Sequence, residues 1–111
     1  FDDPEEVAAL EPKFDVLETL DLPTIAVTAR GNESDYVLRF FAPANGVPED
    51  PVSGVAQCSL MPYWASKLAR AELTSRQLSP KGGEMNCKML DEGVQIAGPC
   101  CTIFSGVLEN C

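Results

Sequence analysis

The chain has 111 residues, 45% of them hydrophobic, with 17 Asp+Glu against 8 Lys+Arg, no histidine and five cysteines, for a formal net charge of −9. That length suits one domain with one real core, burying on the order of 65% of its unfolded surface, and no apolar run approaches the ~20 residues that cross a bilayer, so no transmembrane segment is expected. The acidity speaks against nucleic acid as a partner, and the missing histidine removes His-based triads, His general bases and His-ligated zinc.

Residues 1–22 hold eight acids against Lys13 alone, whereas the remaining 89 residues are close to neutral. This acidic lead-in reads as a solvated helical surface. Asp3-Pro4-Glu5-Glu6 predicts a short helix through Leu10, with Asp3 as cap, Pro4 in the first turn and Glu6 at the capping-box position. Pro12 interrupts, and Phe14, Leu17 and Leu20 recur at helical spacing, predicting a second helix that ends before Pro23.

Thr24–Ala29 is apolar and β-branched and predicts a strand, followed by a polar turn over 30–34. Asp35–Ala42 predicts a second strand, with Tyr36, Leu38 and Phe40 on one face and Val37, Arg39 and Phe41 on the other. Ala44–Val52 reads as a loop dense in Pro, Gly and acid. From Ser53 to about Ala69 almost every residue is apolar or small, which predicts a central buried helix kinked at Pro62. The remainder reads as a β-meander with strands at Leu73–Leu78, Glu84–Leu90, Val94–Ala97 and Cys101–Leu108. The fold class is therefore α+β, one buried helix wrapped by a curved, mostly antiparallel sheet.

The cysteines (58, 87, 100, 101 and 111) show no CxxC and no paired metal-ligand spacing, so no metal site is expected, and they read as buried free thiols behaving as small hydrophobes. A reducing intracellular compartment follows, either cytoplasm or an organelle reached by a targeting peptide since removed. Asn32-Glu33-Ser34 matches a glycosylation sequon with nothing else pointing to secretion.

Chemistry concentrates in Phe40–Gly54, where a strand delivers a Pro/Gly loop into the N-terminus of the apolar helix. Helix N-termini carry unpaired N–H groups and attract carboxylates or phosphates. Gly54 leaves room for a ligand, Ser53 can cap the helix or donate its hydroxyl, and Glu49-Asp50 puts acid at the same place. Read from the residues alone, Asp50 and Ser53 as helix caps and Asp50 and Ser53 as ligand contacts both stay open.

These residues also carry a resemblance. FFAP-x-x-G-V-PEDPVSG (40–54), Pro62-Tyr63-Trp64, Gln77-Leu78-Ser79-Pro80-Lys81-Gly82-Gly83-Glu84 and the earlier Ala9–Phe14, in this order, resemble the PhzF-like (phenazine biosynthesis-like) isomerase family over nearly the whole chain. The resemblance implies the diaminopimelate-epimerase-like fold: two similar halves, each a central helix inside a strongly curved sheet, with the active site between them. It implies proton transfer on a small carboxylate without metal or organic cofactor. Carried over, Asp50 matches the active-site aspartate, Ser53 and Gly54 help receive the substrate carboxylate, and Gly82 and Gly83 match a glycine pair bordering the cleft. Val55 stands where the family motif continues with serine, Gln57 where many relatives have histidine, and the family's proton-shuttling glutamate belongs to the other half.

The expected organisation is the lead-in of 1–22 followed by a partial C-terminal PhzF-like half over 23–111. Two functional expectations follow. The leading one is a degenerate, non-catalytic half-domain serving as a structural or interaction subunit, its sheet completed by another protein chain or by the missing N-terminal half. The alternative is a fragment or subunit of a cofactor-independent isomerase or epimerase acting on a small carboxylate. A small-anion binding module and Cys58 as a nucleophile rank below both.

Overall fold

The computed structural model describes residues 1–109. Three α-helices, α1 (Pro4–Ala9), α2 (Phe14–Leu17) and α3 (Gly54–Leu68), accompany six strands: β1 (Ile25–Arg30), β2 (Tyr36–Ala42), β3 (Val47–Glu49), β4 (Glu72–Gln77), β5 (Gly83–Leu90) and β6 (Gly93–Ala97). They form one open, curved sheet in the order β1-β2-β4-β5-β6, with β3 paired to the end of β2. Every pairing is antiparallel except β2 with β4, which run parallel over Tyr36–Leu38 because α3 crosses over between them.

All seven residues of β2 are buried, since it is covered on both faces. On one face Tyr36, Leu38 and Phe40 join Leu73, Met85 and Cys87 under Ala56, Leu60, Met61 and Trp64 of α3. Trp64 stacks on Tyr36 with ring centroids 5.7 Å apart and donates its indole N–H to Thr28 Oγ1 at 2.9 Å. On the other face Val37 and Ala29 pack against Val7 of α1. Phe41 there meets Phe14 of α2 edge-on. The face assignment expected for 36–41 therefore holds.

Asp3 caps α1 through its carboxylate, which accepts from the Glu6 N–H at 2.8 Å. The reciprocal contact reaches one residue further back than a standard capping box, from the Asp2 N–H to Glu6. Arg39 then closes the other end of this helix, donating to the carbonyls of Val7, Ala8 and Leu10. The acidic lead-in is thus packed onto the outer face of the sheet.

Several expectations change. The second helix is one turn long and does not run to Pro23: no side chain caps it, and the Thr19 hydroxyl bonds the Val16 carbonyl and so competes with the helical ladder. The loop over 44–52 contains a 3-10 turn at Pro43–Asn45 and strand β3, which the period-2 test misses because it is three residues long and includes Pro48. The segment Cys101–Leu108 joins no strand, and Ile103, Phe104, Val107 and Leu108 stand almost fully exposed. Of the four cysteines within the described residues only Cys87 is buried, whereas Cys58, Cys100 and Cys101 are exposed; Cys111 lies outside the described residues.

Helix α3 runs unbroken through Pro62. Its apolar character all round predicts burial on every side, yet Val55, Cys58, Pro62 and Tyr63 share an exposed face. One side of the helix packs on the sheet and the other is uncovered by any described residue.

Candidate functional site

Ser53 is the N-cap of α3: its hydroxyl oxygen accepts from the Ala56 N–H at 3.3 Å, and the residue is 2% exposed. Asp50 lies three residues earlier, tied to β2 by its N–H donating to the Phe40 carbonyl at 2.9 Å. Its carboxylate makes no hydrogen bond with any described residue. Asp50, Ser53, Gly54 and Val55 line a concavity of about 380 Å³, with Phe40, Ala42 and Val47 among its walls. A Cβ added at Gly54 meets nothing within 4 Å, so the approach to the helix tip is open.

The two adjacent acids separate sharply in role. Glu49 is bound bidentately by Arg39, Nε to Oε1 at 2.8 Å and Nη2 to Oε2 at 2.9 Å, and both side chains are nearly buried. The Glu49 partnership holds the Arg39 guanidinium charged against the cost of its burial. Glu49 is thereby committed to structure, and Asp50 is the acid left facing the concavity.

Gly82 and Gly83 do not line it. Gly82 takes a left-handed backbone (φ 68°), which turns the chain between β4 and β5, and its N–H donates to Ser79 Oγ at 3.0 Å. Gly83 packs directly under Val52, where an added Cβ would sit 2.4 Å from a Val52 methyl. The pair therefore supports the Asp50–Ser53 loop from behind, and contact with a ligand in this concavity is not built into their position.

Gln57, singled out above by the family resemblance, points inward. It is fully buried, accepts a hydrogen bond from the Tyr36 hydroxyl, and leaves its Nε2 without a partner among the described residues. Burial raises the Tyr36 phenol above its usual range, with the neighbouring Cys87 adding to the effect, and burial likewise raises the Cys87 thiol. This polar cluster lies under α3, away from the concavity. Cys58 is exposed on the helix flank, outside the residues lining the site.

A larger concavity, about 440 Å³, lies at the opposite end of β4 and is lined by Asp35, Arg70, Glu72 and Lys88 among others. Its charges are already matched as the pairs Asp35–Arg70 and Glu72–Lys88, so it presents no free acid and no free base. Among the described residues no group of three or more Cys, Asp or Glu is arranged to hold a metal ion. No described helix is long and apolar enough to cross a membrane.

With this geometry in place, comparison with known proteins defines the class. The family profile described as phenazine biosynthesis-like protein matches residues 1–106, and the chain belongs to this PhzC–PhzF family. An uncharacterized isomerase of Pseudomonas aeruginosa is 50% identical over 102 residues, spanning 92% of this chain and 39% of that protein. An uncharacterized isomerase of Halalkalibacterium halodurans is 38% identical over 109 residues, 96% of this chain and 41% of that protein. The crystal structure of a PhzF-family phenazine biosynthesis protein from Enterococcus faecalis superposes with a TM-score of 0.86 at 40% identity, covering 88% of this chain and 38% of that one. The fold is thus diaminopimelate-epimerase-like, and the chain spans about two fifths of the length of the relatives it matches.

Proposed function

We propose that this chain forms one wall of a cofactor-independent PhzF-like isomerase, in which Asp50 handles the proton while the tip of α3 receives the carboxylate of a small substrate. The observation that carries this reading is the unpartnered Asp50 carboxylate opening, together with Ser53 and Gly54, onto one concavity. Proton transfer needs a group within hydrogen-bond reach of the proton it moves, and Asp50 has no competing partner to hold it back. Val55, exposed beside the tip, gives the pocket an apolar wall in place of a hydroxyl and favours a substrate with a hydrocarbon flank near its carboxylate. The second acid-base group stands on a facing wall beyond this chain. The relatives named above are called isomerases, which agrees with this reading over a purely structural subunit.

The test uses the chain alone and the chain spliced to the part of the Pseudomonas aeruginosa relative that it does not span, each assayed for incorporation of solvent deuterium into a panel of small carboxylates. The spliced protein should incorporate label and the chain alone should not. Asp50→Asn should lower the rate by about 10²–10⁴-fold, the usual worth of a positioned acid-base group. A rate unchanged by Asp50→Asn would remove Asp50 from the chemistry, and an inert spliced protein would favour the non-catalytic interaction role.

A further inference from the structure

We infer that Gln77, which does not line the concavity, is the positioning residue that sets Asp50 and the tip of α3 relative to each other, an inference that rests on reading Asp50, Ser53 and Gly54 as the site. Gln77 ends β4 at a position where alternation turns side chains inward, and it is 2% exposed. Its Oε1 accepts from the Ser53 N–H at 2.8 Å, and its Nε2 donates to the Asp50 carbonyl. A backbone N–H only donates and a backbone C=O only accepts, so a single side chain satisfying both must present an acceptor and a donor on one planar group. A carboxamide does this, and an ionised carboxylate does not. The residues between are moulded from the same side: Ser79 Oγ donates to the Pro51 carbonyl at 2.7 Å, and Gly83 seats Val52. The QLSPKGG stretch is therefore a template for the EDPVSG stretch, joining two motifs far apart in sequence.

The clamp also decides which amides of the helix tip remain for an anion. Of the N–H groups an α-helix leaves unpaired at its start, that of Ser53 is taken by Gln77 and that of Ala56 by the Ser53 hydroxyl. This leaves the adjacent N–H groups of Gly54 and Val55, both on residues lining the concavity, to meet the two oxygens of a carboxylate. Without Gln77 the Ser53 N–H becomes a third donor and the Asp50 backbone is free to move away from the tip.

The test uses the 111-residue chain and two variants, Gln77→Met and Gln77→Glu, with amide hydrogen exchange read residue by residue. In Gln77→Met the Ser53 amide should exchange at least about 10-fold faster, while amides within Leu60–Trp64 keep their protection and report an intact helix. In Gln77→Glu the protection factor of the Asp50 amide, which donates to the Phe40 carbonyl, should be retained at acid pH, where the carboxyl carries the proton donated to the Asp50 carbonyl. It should fall as pH rises through the pKa of that carboxyl, when the carboxylate still accepts from the Ser53 N–H but repels the Asp50 carbonyl. The wild-type chain should show no such transition. Charged neighbours on adjoining elements are Asp50, the Arg39–Glu49 pair and Lys81, so the transition is repeated in Gln77→Glu with Asp50→Asn, where it should persist. In the spliced protein the deuterium-incorporation rate of Gln77→Glu should follow the same transition, recovering at acid pH. Unchanged Ser53 exchange in Gln77→Met, or pH-independent behaviour of Gln77→Glu, overturns the clamp. A clamp transition with no matching change in rate overturns its positioning role. Loss of Asp50 from the chemistry, by contrast, appears in Asp50→Asn alone and leaves the exchange result standing.

Discussion

Arg39 is the residue on which the outer layer hangs. Its guanidinium holds Glu49 bidentately and closes the carbonyl end of α1, so one side chain joins helix α1, central strand β2 and strand β3. Arg39→Met should cost about 3–5 kcal/mol in denaturant unfolding, because it leaves the Glu49 charge nearly buried without a partner. Asp35 makes a second link: Thr74 donates to it from backbone and hydroxyl, and Arg70 pairs with it. Burial is the largest single influence and pushes its pKa up, but these donors together outweigh it and hold the carboxyl below the usual range. The folded pKa lies below the unfolded one, so the stabilisation is present above about pH 4 and is lost as pH falls through the folded value. Acid titration of stability should accordingly be shallower in Asp35→Asn than in the wild type. Trp64, 5% exposed and bonded to Thr28, should cost roughly 3–5 kcal/mol when changed to alanine. Mass-resolved thiol alkylation at neutral pH should modify Cys58, Cys100 and Cys101 and spare Cys87, whose burial both hides the sulfur and keeps it protonated.

Among the elements, α3 organises the rest. Its start is stabilised by Ser53, and its end is closed by Ala69 in the left-handed region (φ 52°), from which Arg70 returns its N–H to the Ala65 carbonyl. A Cβ there is strained where glycine is not, so Ala69→Gly should raise stability by about 0.5–1 kcal/mol, read as an increase in the denaturation midpoint at constant slope. The helix itself was legible from its run of apolar residues, as was its position after the EDPVSG loop, whereas the structure decided Ser53 as its cap. The run could not tell which side meets the sheet. Val55 and Tyr63 look as core-like as Leu60 and Met61, and the choice depends on strands that arrive from elsewhere in the chain. The second helix failed for a related reason: Phe14, Leu17 and Leu20 have helical spacing, but one four-residue turn without a cap wins little against a side-chain hydroxyl bonding the backbone.

On the scale of the whole molecule, the sheet has open edges at β1 and β6, and the stretch past β6 presents Ile103, Phe104, Val107 and Leu108 to solvent. An apolar surface of this kind marks a contact or an aggregation hazard. Replacing Phe104 and Leu108 together by aspartate should lower concentration-dependent association, measured by sedimentation velocity, without lowering the unfolding midpoint, because neither side chain contributes to the core. The open sheet is compatible with pairing to further sequence of the kind the longer relatives possess, of whose length this chain spans about two fifths.

Read alone, the residues determined what depends on neighbours close in sequence: most of the strands from β-branched alternation, the cap at Asp3, and the acid just ahead of a helix start, with Ser53 offered there as cap or ligand contact. Only the tertiary structure decided what depends on residues brought together across the chain. It separated Glu49, locked onto Arg39, from Asp50, left free. It turned Gln57 into the core, moved Gly82 and Gly83 behind the loop, and brought Gln77 against two backbone groups 24 and 27 positions away. Local patterns report backbone preference and the side chains within a turn or two, whereas the direction of a buried hydrogen bond is set by which distant donor or acceptor the fold leaves unpaired.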